Sequence, residues 1–98
     1  MTARHFEWSP DAVLDLKRLH GFLRPKSPRT ADKAIATIRA SLEVLLTFPD
    51  AGRVAEDSGI DHRELIVPFS RSGYVVTYKV HDEAIEIIDI RHQREAGY

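Results

Sequence analysis

Residues 63–98 read RELIVPF, SRSG, YVVTYKV, HDEA and IEIIDIRHQREAGY, and this stretch decides the fold. Its β-branched and aromatic runs are separated by short polar breaks, the pattern of a strand meander. Tyr74, Val76, Tyr78 and Val80 alternate with Val75, Thr77 and Lys79, the period of a half-buried strand. Ile85, Ile87, Ile88 and Ile90 are almost continuously apolar, which predicts a central strand covered on both faces. That strand then runs into Arg91, His92, Gln93, Arg94, Glu95 and Tyr98, a basic tail with an imidazole and a phenol.

Working outward, a chain of 98 residues has room for one domain, 1–98, burying roughly two-thirds of its unfolded surface. The composition, 43% hydrophobic and 30% charged, is that of a globular domain. A formal net charge of -1 supplies no bulk attraction to nucleic acid or anionic membrane, so a basic site must be local. The absence of cysteine excludes disulfides, thiol chemistry and thiolate metal sites. MTARHFEW lacks the apolar core of a signal peptide and no run is long enough to span a membrane, so the expected location is the cytoplasm.

Phe6 and Trp8 fall on one side of a short N-terminal strand, His5 and Glu7 on the other. Ser9-Pro10-Asp11 announces a helix: Ser9 caps free N–H groups, Pro10 suits the first position, and Asp11 faces the positive dipole end. Ala12, Leu16, Leu19 and Leu23 draw one apolar stripe, with Asp15 and Arg18 beside each other off it. Pro25 stops this helix, and a second begins near Ser27-Pro28 or Thr30. Its stripe is Ala31, Ile35, Ile38, Leu42 and Leu45, widened by Ala34 and Leu46. The short break makes the pair an α-hairpin, which needs the apolar face of the meander to cover. Pro49 and Gly52 then turn the chain, and Arg53-Val54-Ala55 is expected to add a short edge strand before EDSGID.

Pro49-x-x-Gly52-Arg53, Arg63-x-Leu65, Tyr74-x-Val76-x-Tyr78 and the terminal Arg91-His92-Gln93-Arg94, in this order and spacing, resemble the RelE/ParE toxins. These are the toxin halves of type II toxin–antitoxin pairs, also known as plasmid stabilisation proteins. The resemblance covers essentially the whole chain and implies a two-layer α+β fold. Its N-terminal strand and α-hairpin would precede an antiparallel sheet, with the helices on one face. It also implies a cognate antitoxin whose C-terminal segment wraps the toxin. Two targets follow from it. ParE-like members inhibit DNA gyrase, whereas RelE-like members cut mRNA on the ribosome with Arg, Lys, His, Glu or Tyr side chains on the exposed sheet face. The lysine cluster of the lysine-using nucleases is absent, and Arg53 is the only basic residue between Ala51 and Asp61. Gyrase inhibition is therefore the leading expectation, ribosome-dependent cleavage the alternative, and a non-toxic antitoxin-binding module the third.

If the chain were a ribonuclease, Arg63, Arg91, His92, Arg94 and Tyr98 are the candidates. Cleavage needs a base for the 2′-hydroxyl, a cation for the phosphorane and an acid for the leaving oxygen. The plainer reading of His92 is a hydrogen-bonded strand end. Arg63 grips either a phosphate or an antitoxin carboxylate, or else pairs with Glu64 or Asp89. Ser70, Ser72 and Gly73 read as a hairpin turn rather than a nucleophile site. Tyr74 and Tyr78 share a face and read as core or antitoxin-facing, not as base-stacking platforms. His5, His20, His62 and His81 have no ligand spacing, so neither a metal nor a cofactor is expected. Val13, Leu14 and Phe22 lie off the first stripe; with Arg18, Arg63 and Arg71 they are the expected antitoxin-binding set.

Overall fold

The structure is a computed structural model and describes residues 4–55 and 61–93. Strand β1 (His5–Trp8) leads into helices α1 (Pro10–Leu23) and α2 (Pro28–Thr47), then a 3₁₀ turn at Pro49–Ala51. Strands β2 (Arg53–Val54), β3 (Arg63–Phe69), β4 (Ser72–Val80) and β5 (Ala84–His92) follow. The sheet order is β1-β5-β4-β3-β2. The meander β2 to β5 is antiparallel, but β1 joins β5 in parallel, so the sheet as a whole is mixed rather than antiparallel. The α-hairpin delivers the chain to β2 at the far edge of the sheet, and the antiparallel meander then works back until β5 lies beside β1 and runs the same way.

Both helices begin as their caps dictate. Ser9 Oγ accepts from the Ala12 N–H at 3.0 Å, and Ser27 Oγ accepts from that of Thr30 at 3.2 Å. Ala12 and Leu19 of α1, and Ala31, Ala34, Ile38, Leu42 and Leu45 of α2, are buried. All of these except Ala31 meet Val67, Tyr74, Val76, Tyr78, Ile85, Ile87 and Ile90 of the sheet in one core. Two residues of the expected second stripe depart from it. Leu46 is 40% exposed and Ile35 is half-buried, because the stripe is narrower than seven apolar residues suggest.

The apolar run of β5 has a different cause from burial on both faces. Tyr78 pairs with Ile87 but Thr77 pairs with Asp89, so Ile88 is a bulge with no rung partner. In an unbroken register Tyr74 would face Arg91; beyond the bulge it faces His92. One extra residue thereby turns Ile90 and His92 toward the helices and Asp89 and Arg91 toward the open face. The edge of β5 beyond β1 is taken over by the start of α1. Ser9 Oγ donates to the Ile88 carbonyl at 2.6 Å, and Asp15 Oδ2 accepts from the Ile90 N–H at 2.9 Å. Asp15 still reaches Arg18, at 3.7 Å.

The Pro49–Arg53 motif is a clamp on one phenol. Tyr78 is fully buried; its hydroxyl donates to the Pro49 carbonyl at 2.7 Å and accepts from the Gly52 N–H at 2.9 Å. A Cβ on Gly52 would stand 2.7 Å from both the Glu64 carbonyl oxygen and the Tyr78 ring, so only glycine fits. Burial raises the Tyr78 pKa above its ordinary 10, against the opposing pull of the Gly52 hydrogen bond and Arg63.

Candidate functional site

At the far end of the sheet from this clamp, α1, the β3–β4 turn and the end of β5 enclose a groove of about 750 Å³. Leu19, Phe22 and Leu23 form its helical wall, and Phe69, Tyr74 and His92 its sheet wall. Helix spacing places Leu19, Phe22 and Leu23 on adjoining faces of the last turns of α1. Phe22 is 67% exposed, with the Lys26 ammonium 4.6 Å from its ring centroid. The two-residue turn Ser70–Arg71 requires a positive φ, 56° at Ser70, and projects Arg71 at the rim opposite Arg18 and Lys26.

His92 enters this groove because of the bulge. Its Nε2 lies 2.9 Å from Ser72 Oγ, and its ring meets Tyr74 edge-on with centroids 5.7 Å apart. Phe69 also packs against Tyr74, the rings tilted by 36° with centroids 6.0 Å apart. Burial raises the Tyr74 pKa above its ordinary 10. An apolar floor edged by three cations suits an extended or helical peptide whose apolar anchors alternate with carboxylates. The Ser72–His92 bond and the aromatic contacts of Tyr74 were missed from sequence. Pairing the strands outward from HDEA would have found them only with the bulge included.

Of the residues expected to bind antitoxin, Arg18, Phe22 and Arg71 line the groove. Val13 and Leu14 do not; Leu14, 61% exposed, sits two turns before Phe22, and Val13 is rotated about 100° from Leu14 around the helix. Arg63 lies at the clamp, roughly 20 Å from the groove by strand rise. Its Nη1 donates to the Gly52 carbonyl at 2.9 Å, and its Nη2 is 3.5 Å from Asp50 Oδ1. Its ionic partner is thus Asp50, neither Glu64 nor Asp89.

The nuclease candidates are spread apart. Arg63 braces the 3₁₀ turn, His92 faces the helices, and Arg91 lies on the open face against Glu64 and Asp89, at 3.1 and 3.5 Å. Arg94 and Tyr98 lie outside the described residues. Among the described residues no three His, Asp or Glu side chains gather as metal ligands, and no helix is long and apolar enough to cross a membrane. A shallower depression of about 940 Å³ along β1 and the β4–β5 turn carries Glu7, Asp82, Glu83 and Glu86, an acidic surface away from the groove.

The profile of the ParE toxin of type II toxin–antitoxin systems, parDE, matches residues 6–97. Toxin RelE3 of Caulobacter vibrioides is 38% identical over 89 residues, covering 91% of this chain and 94% of that protein. Toxin RelE1 of the same organism is 31% identical, covering 86% and 87%. Among solved structures, the chromosomal ParDE system of P. aeruginosa superposes with a TM-score of 0.72 at 24% identity, covering 92% of this chain and 96% of that one. YafQ of E. coli strain BL21(DE3) does so at 0.57 and 17% identity, covering 95% and 97%. Both share the fold described above.

Proposed function

We propose that this chain, which belongs to the ParE toxin family within the RelE/ParE superfamily, acts as a toxin by stoichiometric inhibition of DNA gyrase. Membership makes it the toxin half of a type II pair with a cognate antitoxin. The observation that supports a non-catalytic action is the separation of Arg63, Arg91 and His92 among the clamp, the open face and the groove. Phosphodiester cleavage needs acid, base and cation around one phosphorus, within hydrogen-bond reach of it. These three residues meet no common phosphate. Inhibition through a protein interface makes no such demand.

The groove between α1 and the β3–β4 turn is the proposed antitoxin site. A disordered acidic–apolar segment would place an apolar anchor against Phe22, Leu23 and Phe69, with carboxylates toward Arg18, Lys26 and Arg71. Its gain is burial of apolar area at about 25 cal/mol per Å², less the entropy of ordering.

A second reading, ribosome-dependent mRNA cleavage, draws on the RelE names of the Caulobacter relatives and on His92 beside Ser72 in a cation-edged groove. The deciding experiment measures gyrase supercoiling and the integrity of ribosome-bound mRNA with the same purified protein. Inhibited supercoiling with intact mRNA is expected; discrete cuts in the ribosomal A site with normal supercoiling would reverse the assignment. Normal growth on induction without antitoxin would identify a non-toxic binding module instead.

A further inference from the structure

The open sheet face holds an anion of its own between two arginines. Glu64, with its side chain 15% exposed, presents Oε1 to Arg53 Nη2 and Oε2 to Arg91 Nη2, each at 3.1 Å. Arg53 is its rung partner on β2. Arg91 stands on β5, two strands away, and crosses β4 to reach it, a span of roughly 10 Å at ordinary strand spacing. The crossing passes over Val75 and Thr77, which are 0% and 8% exposed although they face away from the helices. Asp89 Oδ1 stands 3.5 Å from Arg91 Nε, an ionic approach in which neither buried atom makes a hydrogen bond.

Two guanidinium groups converging on the two oxygens of one carboxylate have the geometry with which arginines also grip a phosphodiester. We propose that Glu64 is a built-in counter-ion that fills this anion site and excludes the RNA backbone from the open face. The inference rests on the non-nucleolytic reading above and deepens it: the face keeps its cations and has them occupied. A carboxylate tethered on β3 competes at high effective concentration with any phosphate arriving from solution.

The test is fluorescence anisotropy of a short labelled single-stranded RNA with wild type and Glu64→Gln, which keeps the shape and removes the charge. Glu64→Gln is expected to bind about tenfold more tightly or better, with a steeper fall of affinity as salt rises. The Glu64→Gln/Arg91→Gln variant should return to wild-type affinity. Glu43→Gln, on the exposed side of α2, makes the same change in net charge and should gain nothing. Equal RNA affinity in wild type and Glu64→Gln overturns the proposal, as does an equal gain in Glu43→Gln. If Glu64→Gln unfolds in chloride, inorganic phosphate should restore its circular dichroism where chloride of the same ionic strength does not; failure of that rescue also overturns it. Gyrase inhibition by the wild type is scored separately, so loss of that target leaves the RNA comparison intact.

Discussion

Tyr78 and His92 stand at opposite ends of the same sheet face, and their surroundings differ in kind. Around Tyr78 every contact is internal: the Pro49 carbonyl, the Gly52 N–H and Arg63 close over a buried phenol. Around His92 the walls are open, with Phe22 largely exposed and three cations at the rim. The motifs Pro49-x-x-Gly52-Arg53, Arg63-x-Leu65 and the second tyrosine of Tyr74-x-Val76-x-Tyr78 all fall at the closed end. Three of the stretches that make the chain recognisable are therefore framework at the closed end, while Tyr74 and His92, from the remaining motif positions, line the open groove.

That contrast can be broken most forcefully at Gly52. Gly52→Ala should cost about 3 kcal/mol, since its Cβ has nowhere to go and overpacking a tight site typically costs about 1–3 kcal/mol before the Tyr78 bond is disturbed. A urea midpoint unchanged from wild type would show the clamp to be dispensable. Tyr78→Phe should cost about 2 kcal/mol by leaving the Gly52 N–H and Pro49 carbonyl without their partner.

The same phenol sets an alkaline limit. Its pKa is above 10 in the folded chain, so the folded state keeps a proton that the unfolded state loses. This contribution is complete below pH 10 and is lost as pH rises through the folded value. Melting temperature should fall above pH 10, less steeply in Tyr78→Phe; equal slopes would contradict it.

At the open end the expected effects move from folding to binding. Phe22→Asp should weaken antitoxin binding at least about tenfold by setting a charge against apolar neighbours, while urea stability stays within about 0.5 kcal/mol. Calorimetric titration showing unchanged affinity would place the antitoxin elsewhere. The smallest effect is expected for His92→Ala, less than about twofold on gyrase inhibition. A loss of roughly 10²–10⁴-fold in a folded variant is what general acid–base chemistry requires and would favour the nuclease.

The helices, their caps and the meander were legible because periods of 3.6 and 2 survive in the sequence wherever one face is buried. The bulge at Ile88 was not, since an apolar residue inside an isoleucine run carries no mark of being unpaired. Its consequences were lost with it: the faces of Arg91 and His92, the Ser72–His92 bond and the Arg53–Glu64–Arg91 cluster. Phe22, Arg18 and Arg71, chosen as surplus apolar and basic residues, line the groove. Val13 and Leu14, chosen on the same ground, needed the helix's rotation about its axis, which only its packing partners define. Arg63 was paired with its strand neighbours, yet its side chain turns back to a loop thirteen residues earlier, at Asp50.

Amide hydrogen exchange of the toxin with and without its antitoxin tests this division of the molecule most directly. New protection should concentrate in the last turns of α1, in Phe69–Tyr74 and at His92, while Pro49–Val54 and Tyr78 exchange as slowly or as fast as before. Protection centred on the Tyr78 clamp, with the groove unchanged, would contradict it.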